Sequence, residues 1–280
     1  MTAAARLLAL ADGVLALAAP PRCAGCDLPG TTLCPRCRAP LEGRAALVAV
    51  PGWPHAPPTA GRAPYTGVLP TLVNAWKERG RHDLEPVLGA ALAGAVGALP
   101  GGAGAGRLLV PVPSSRAARR RRGADGVRRL AVQAARTLRA RGVPARVLPV
   151  LTLARRVDDQ SGLSATERAR NVEGAFVVRA RARALVGSLP PVVLVDDVLT
   201  TGATLRAAAC ALAQSGVVVE GVACVSVTPL RRTRPASVGT DAGGLALGRG
   251  KVLADAADRD VGAGARQASP IDRRHTSWRS

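Results

Sequence analysis

Residues 192–204 read VVLVDDVLTTGAT, and this segment decides the fold that we expect. Its apolar start predicts a buried strand of a parallel sheet, and the alanine-rich residues that follow predict a helix. The turn between them surrounds the start of that helix. Free backbone N–H groups and the positive end of the helix dipole favour a phosphate there. The segment therefore predicts a phosphate site at the strand end.

Two adjacent carboxylates, Asp196 and Asp197, stand at the tip of this strand. Carboxylates do not assist a phosphate, so we expect them to accept hydrogen bonds from another part of the ligand, such as the vicinal hydroxyls of a sugar. Together with the turn they describe a site for ribose 5-phosphate. The structural alternative is an ordinary strand followed by a well-capped helix.

The segment resembles the phosphoribosyl pyrophosphate (PRPP) signature of type I phosphoribosyltransferases. The resemblance implies that Asp196 and Asp197 are the catalytic pair that holds the ribose hydroxyls. Other phosphate motifs fit poorly, because there is no Walker sequence and the glycine-rich residues 101–106 precede their strand instead of following it. The 5-phosphate would be cradled by Val198, Leu199, Thr200, Thr201, Gly202, Ala203 and Thr204.

A second loop, residues 110–126 (VPVPSSRAARRRRGADG), is rich in arginine. PRPP also carries a pyrophosphate, which needs a grip of its own, and guanidinium groups bind phosphate oxygens in pairs. The alternative is a solvated basic loop or a nucleic-acid contact. The residues that we expect to hold the pyrophosphate are Ser114, Ser115, Arg116 and Arg122.

A long polar excursion over residues 155–175 predicts a lid. Displacement at the C1 carbon of the ribose develops positive charge, and a cover would keep water from competing with the proper nucleophile. Mg²⁺ is expected on the pyrophosphate and ribose oxygens, with several waters and few protein ligands. The predicted lid residues are Arg155, Arg156, Gln160, Arg168 and Asn171.

Four cysteines near the start of the chain have the spacing C-x2-C-x7-C-x2-C. This spacing is typical of two loops that enclose one tetrahedral Zn²⁺. Disulfides are the alternative, disfavoured because no secretory signal precedes the cysteines. The predicted zinc ligands are Cys23, Cys26, Cys34 and Cys37.

The order of predicted elements gives the organisation of the chain. Strands and helices alternate over residues 107–228, which predicts an α/β fold with a parallel, doubly wound sheet. Residues 61–100 are predicted to form a hood over the ligand site. In this hood Trp76, Lys77 and Arg81 would face the ligand, and core packing is the alternative for Trp76. The predicted parts are an N-terminal helix (1–20), the four-cysteine zinc module (21–60), a phosphoribosyltransferase-like domain (61–230) with its hood (61–100), and a disordered tail (231–280).

The composition and net charge of the chain limit the kinds of partner that we expect. No apolar run reaches the roughly 18 residues of a membrane span, so we expect no membrane insertion and a cytoplasmic location. The formal net charge is +20, which favours an anionic partner. Aromatic residues make up only 2% of the chain, which leaves few surfaces for stacking bases.

Several motifs occur in one order: the four cysteines, KERGRHDL, VPVP with its basic loop, Q-x-x-L, R-x-x-N-V-x-G-A-F and VLVDDVLTTGATL. In this order they resemble the ComF (ComFC/GntX-like) family over about residues 8–230. The resemblance implies a zinc knuckle joined to a type I phosphoribosyltransferase domain, linked to DNA uptake in competent bacteria. Relatives commonly have Arg-Gly-Phe-Asn-Gln where residues 122–126 read RGADG, and a second cysteine pair of some relatives is replaced by PGWPHAPP.

Two functions remain open from the sequence. One is transfer of phosphoribose from PRPP to an unknown nitrogen acceptor. The other is a non-enzymatic, PRPP-responsive module that handles single-stranded DNA or acts through the competence machinery. The charge favours the second function and the shortage of aromatics argues against it. The sequence specifies neither the acceptor nor the oligomeric state.

Overall fold

A six-stranded sheet forms the centre of the molecule. The computed structural model describes residues 20–50, 52–101, 106–114, 125–154, 174–179, 182 and 189–229, all within one compact unit, Met1–Arg232. The strands of the sheet are β1 (Ala46–Leu47), β2 (Thr59–Pro64), β3 (Arg107–Pro111), β4 (Ala145–Val147), β7 (Val192–Leu199) and β8 (Val219–Val227). Two further strands, β5 (Leu151–Leu153) and β6 (Phe176–Val178), pair with each other in a separate antiparallel sheet.

Five α-helices accompany the strands in the described part of the chain. A short 3-10 turn, His82–Leu84, joins the second helix to the third. The helices are α1 (Pro35–Glu42), α2 (Leu69–Glu78), α3 (Glu85–Gly97), α4 (Gly126–Ala140) and α5 (Ala203–Ala213).

The strand order is β1-β2-β8-β7-β3-β4. All neighbours run parallel except β1, which pairs antiparallel with β2 at one edge. The α/β prediction with a mostly parallel sheet is confirmed. The antiparallel edge strand was not expected.

Helices cover both faces of the sheet, which explains why its central strands are mostly apolar. On one face, α2, α3 and α4 pack on Val193 and Val195 of β7. On the other face, α5 and the β5–β6 pair pack on Leu194 of β7 and Cys224 of β8. Successive residues of β7 therefore belong to different cores.

Two local predictions differ from the structure. The apolar residues of segment 145–151 (ARVLPVL) predict one strand, but the segment divides between β4 in the main sheet and β5 in the small one. Pro149 lies between them and has no N–H to donate to a ladder. The prolines and glycines of residues 21–60 predict little regular structure, yet this segment contains α1, whose first residue is Pro35. Proline is favourable there because its fixed φ suits the first helical position.

Several predictions fall outside the described residues. They are the N-terminal helix, the lid and the tail. None of the helices within the described ranges is long and apolar enough to cross a membrane.

Candidate functional site

The candidate site lies at the carboxyl end of β7, beside the end of β3. In the register of the sheet, Pro111 of β3 is opposite Val195, and Val112 N–H donates to the Val195 carbonyl at 3.0 Å. Because parallel strands end at the same edge, the residues after β3 emerge next to Asp196. On the other side of β7, Asp196 is opposite Cys224 of β8.

The two carboxylates occupy different surroundings. Successive side chains of a strand point to opposite faces, so Asp197 turns toward the α2 face and Asp196 toward the α5 face. Asp197 is 7% exposed, and its Oδ1 accepts a hydrogen bond from Lys77 Nζ of α2 at 2.8 Å. Asp196 is partly exposed, and its Oδ1 accepts the Asp197 N–H at 2.8 Å. The pair is thus asymmetric, with one member already matched to a cation.

Electrostatics enlarges this asymmetry. Burial raises the pKa of Asp196 to about 8, and the neighbouring Asp197 adds to the rise. Lys77 and the Asp197 N–H oppose it, while Asp125 pushes the pKa further up. The raised pKa favours the protonated form of Asp196 near neutral pH, and this form has a hydrogen to donate as well as oxygens that accept.

The turn after β7 has the backbone that a helix-terminal anion site needs. Gly202 is the N-cap of α5 and adopts a φ of 81°, a conformation that glycine reaches without strain. Thr201 Oγ1 accepts the Ala203 N–H at 3.4 Å. Thr200 is exposed, and Thr201 and Thr204 are partly exposed, so three hydroxyls border the start of the helix.

Not every predicted residue of this turn presents its side chain. Leu199 is buried in the α5-side core, so it contributes only backbone to the turn. Val198 and Ala203 are partly exposed. A Cβ added to Gly202 would collide with Val50 Cγ1, because the turn packs directly against the segment before β2.

Ser114 at the end of β3 is engaged by a residue that sequence reasoning missed. Asp125 accepts the Ser114 N–H at 3.3 Å through Oδ2 and the Ser114 hydroxyl at 3.2 Å through Oδ1. Asp125 is also the N-cap of α4, where it accepts the Arg128 N–H at 3.4 Å. An aspartate directly before a helical run is a common N-cap signal, which was available in the sequence.

The remaining predicted contacts of the site lie outside the described residues. These are Ser115, Arg116 and Arg122 of the basic loop and Arg155, Arg156, Gln160, Arg168 and Asn171 of the lid.

The predicted hood residues have separate roles in the structure. Lys77 reaches the site through its bond to Asp197. Trp76 is 1% exposed in the core, which was the alternative for this residue, and its Nε1–H donates to Glu85 Oε1 at 3.3 Å. Arg81 lies against the cysteine region, where its guanidinium donates to the carbonyls of Arg22 and Thr32.

A polar cluster around the buried Glu85 was also missed. Glu85 Oε1 lies 3.2 Å from His82 Nδ1 and 2.9 Å from Arg129 Nε, the latter without the alignment of a hydrogen bond. The cluster joins α3 to α4 under the helix that carries Lys77. An acidic residue in an apolar helix was the available signal, since buried charges are normally paired.

The four cysteines converge as the spacing predicts. Their ligand atoms all lie within 4.8 Å of one another, and Cys26 Sγ is 3.6 Å from Cys34 Sγ. A tetrahedral Zn²⁺ with bonds of about 2.3 Å requires sulfur separations of about 3.8 Å, so the donor set fits this ion. We call residues 22–37 the cysteine knuckle.

Backbone N–H groups favour the thiolate at Cys23, whereas the pKa of Cys26 and that of Cys37 are raised. Burial raises the pKa of Cys23, but N–H groups of Cys34, Cys26 and Gly25 lower it to a net value of about 6. The Cys34 N–H lies 3.3 Å from Cys23 Sγ. Such bonds favour the thiolate, which is the form that binds zinc.

No protein-family model matches the sequence, and no curated protein matches it. The geometry of the described residues therefore carries the functional argument.

Proposed function

We propose that this chain binds PRPP with Mg²⁺ and transfers its phosphoribosyl group to a nitrogen acceptor, as a phosphoribosyltransferase-like protein of the ComF type. In this proposal the cysteine knuckle holds a structural zinc ion. DNA uptake is the process with which the resemblance links it.

One observation carries the proposal: two carboxylates at the tip of β7 run directly into a glycine turn that begins α5. The turn offers helix-terminal N–H groups to a phosphate. The carboxylates stand a few residues away, where they serve hydroxyls. A ribose with a phosphate on one end and a diol on the other matches this spacing of unlike groups.

The asymmetric carboxylates suit a diol. A vicinal diol has two donors and four lone pairs, so a protonated Asp196 complements one hydroxyl as donor or acceptor. The carboxylate of Asp197 complements the other hydroxyl as an acceptor and keeps its tie to Lys77. Negative charge nearby also stabilises positive charge that develops on the sugar ring.

The reaction balances without a protein nucleophile. The C1–O bond to pyrophosphate breaks, a bond from the acceptor nitrogen to C1 forms, and pyrophosphate leaves with the bonding electrons. Where the acceptor nitrogen carries a hydrogen, its proton passes to solvent. Mg²⁺ would supply charge neutralisation on the leaving group. The residues that follow the neighbouring strand emerge next to Asp196, and the proposal places the pyrophosphate there. Asp125 accepts both the Ser114 N–H and the Ser114 hydroxyl in the structure, so Ser114 would have to exchange these bonds to hold the ligand.

Titration calorimetry with PRPP and Mg²⁺ tests binding. The variant Asp196→Asn/Asp197→Asn should lose affinity at least about tenfold, since the lost bond to the charged Asp197 alone is worth about 1.5–3 kcal/mol. Glu42→Gln changes an exposed carboxylate on α1 and should bind as the wild type. Equal affinity in the double variant contradicts the proposal.

Pyrophosphate release separates transfer from binding alone. Wild-type protein with PRPP, Mg²⁺ and a panel of nitrogen bases should release pyrophosphate only with the proper acceptor. PRPP binding without release across the panel favours the non-enzymatic function.

A surface feature favours that second function, a PRPP-responsive DNA-handling module. Residues 126–150, which span α4 and β4, contain six arginines and no acidic residue. Arg128, Arg136, Arg141 and Arg146 are exposed there. If this face binds single-stranded DNA, affinity should fall steeply with salt, and removal of these four charges should flatten the dependence. An unchanged salt slope argues against it.

A further inference from the structure

We infer that Arg81 is a positioning residue that couples the cysteine knuckle to the Lys77–Asp197 pair, so that metal occupancy of the knuckle and ligand binding at β7 are linked. The second half of this inference rests on the proposed function. The first half concerns only the geometry of the chain.

Arg81 connects to the knuckle through two backbone carbonyls. Its Nη1–H donates to the Arg22 carbonyl at 3.1 Å and its Nη2–H donates to the Thr32 carbonyl at 2.9 Å. These carbonyls lie just before Cys23 and shortly before Cys34, so they stand in the right places only when both cysteine loops are folded together.

The guanidinium is held in this orientation by Asp83. Arg81 Nε–H donates to Asp83 Oδ1 at 2.9 Å, and Arg81 Nη2–H donates to Asp83 Oδ2 at 2.8 Å. This two-point contact lowers the pKa of Asp83, mainly through the hydrogen bonds from Arg81. A planar fork fixed at two points leaves the arginine little freedom to turn away.

The cysteine knuckle also contacts the N-terminal end of α2. A Cβ built on Gly25 of the knuckle would stand 2.6 Å from Val68 Cγ2 and 2.7 Å from Cys37 Sγ. The backbone of the first cysteine loop therefore presses on Val68, which is the N-cap residue of α2. At its far end, α2 is tied to Arg81 because the Arg81 N–H donates to the Ala75 carbonyl at 3.2 Å.

Lys77 lies in the last turn of α2, between these two contacts. Its ammonium meets Asp197 only if the helix keeps its position above the sheet. Metal release would unfold loops whose folding is driven by metal binding, and α2 would lose its support at both ends. The Lys77–Asp197 geometry would then loosen.

Hydrogen exchange of the zinc-loaded full chain tests the structural half. In Arg81→Ala, amides of residues 69–78 should lose protection about 10–100-fold, matching the loss of hydrogen bonds to a charged group, while amides of α4 stay protected. Transfer of zinc to a chromophoric chelator should accelerate by a similar factor. Arg81→Lys should lie between wild type and Arg81→Ala, and Arg44→Ala, which changes an exposed arginine between α1 and β1, should match wild type.

Metal removal provides a second route if Arg81→Ala does not fold. Chelation of wild-type protein should strip protection from residues 69–78 and leave residues 126–140 protected. Retained protection of α2 without zinc overturns the inference, and so do unchanged exchange and zinc release in folded Arg81→Ala.

The effect of PRPP on the rate of zinc release tests the functional half. A purely structural role of Arg81 would leave this effect unchanged. PRPP with Mg²⁺ should slow zinc release from wild type and should do so less in Arg81→Ala, because coupling between two sites is reciprocal. If PRPP binds wild type and zinc release does not respond, the coupling is refuted while the proposed function stands. If PRPP does not bind wild type at all, the proposed function fails, and hydrogen exchange alone decides the structural coupling.

Discussion

Lys77 Nζ lies 2.8 Å from Asp197 Oδ1, although 120 positions of sequence separate the two residues. The Asp197 side chain is 10% exposed and that of Lys77 is 26% exposed, so solvent screens this pair only in part. The contact ties α2 to the tip of β7. It is a direct link between a helix that precedes β3 and the candidate site.

Removing the cation should therefore destabilise the fold. Lys77→Met leaves a buried carboxylate without its partner, and we expect a loss of about 1–3 kcal/mol in the free energy of unfolding. Urea unfolding measures it. Lys77→Arg keeps the charge and should lose less, and Asp197→Asn added to Lys77→Met should recover part of the loss. A Lys77→Met variant as stable as wild type would show that the pair contributes nothing.

The raised pKa of Asp196 makes a prediction about pH. Its folded-state pKa of about 8 exceeds the ordinary value of 3.8, so between these values the folded protein retains a proton that the unfolded chain has released. The contribution of Asp196 to stability therefore falls as pH rises from about 4 to 8.

Asp196→Asn removes this dependence. We expect the variant to be more stable than wild type at pH 8, by on the order of 1–3 kcal/mol, with a smaller difference at pH 5. Urea unfolding at the two pH values measures the change, and Glu42→Gln serves as the exposed control. An Asn variant whose advantage shrinks with rising pH is incompatible with a raised pKa.

Gly202 and Gly216 form a matched pair for testing the turn. Both have positive φ, 81° and 80°, but only Gly202 has a neighbour, Val50, in the path of a Cβ. Gly216→Ala should cost about 1–2 kcal/mol from backbone strain alone.

Gly202→Ala should cost more, by a further 1–3 kcal/mol or so of overpacking. Thermal or urea unfolding ranks the two variants, and adding Val50→Ala should relieve Gly202→Ala specifically. Equal costs at the two glycines would mean that the turn does not pack on Val50 in solution.

The cysteine knuckle predicts the metal content of the chain. Wild type should carry one Zn²⁺ per chain by elemental analysis, and Cys34→Ser should lose most of it together with thermal stability, because metal binding contributes to folding. Cys210→Ser is the control, since Cys210 is exposed on α5 away from the cluster. Full zinc occupancy in Cys34→Ser would refute the four-thiolate site.

Asp125 predicts a helix-cap effect with a consequence at Asp196. Asp125→Ala should lower stability by about 1 kcal/mol, whereas Asp125→Asn keeps the capping oxygen and should lose less. Both variants remove a negative charge that raises the pKa of Asp196. Titration of Asp196 by NMR should therefore show a lower pKa in both variants. An unchanged pKa would show that the charge of Asp125 does not act on Asp196.

The sequence predicted those parts of the fold that depend on local pattern. The β7–α5 segment and the cysteine spacing are short-range signals, and each produced the element or cluster that it predicts. Pairing between distant segments leaves no such signal. The parallel pairing of β2 with β8 and the bond from Lys77 to Asp197 depend on the assembled sheet.

The same distinction explains the site. Asp196 and Asp197 were identified from their place after an apolar strand, but their unequal surroundings come from the pleat, which turns one toward α2 and the other toward α5. Asp125 was quoted as a departure from relatives, and its bonds to Ser114 emerge only when β3 and α4 are placed together.

The position of β2 has a consequence for dissecting the chain. β2 covers one side of β8 along a register from Thr59 to Pro64, and Ser226 of β8 is bonded through its hydroxyl to the Ala63 carbonyl. A fragment that starts after Pro64 would bare the nine-residue β8 as an open edge with unpaired N–H and C=O groups. Exposed strand edges pair with other chains, so we expect that fragment to self-associate. The segment that contains β2 is therefore an integral part of the main sheet.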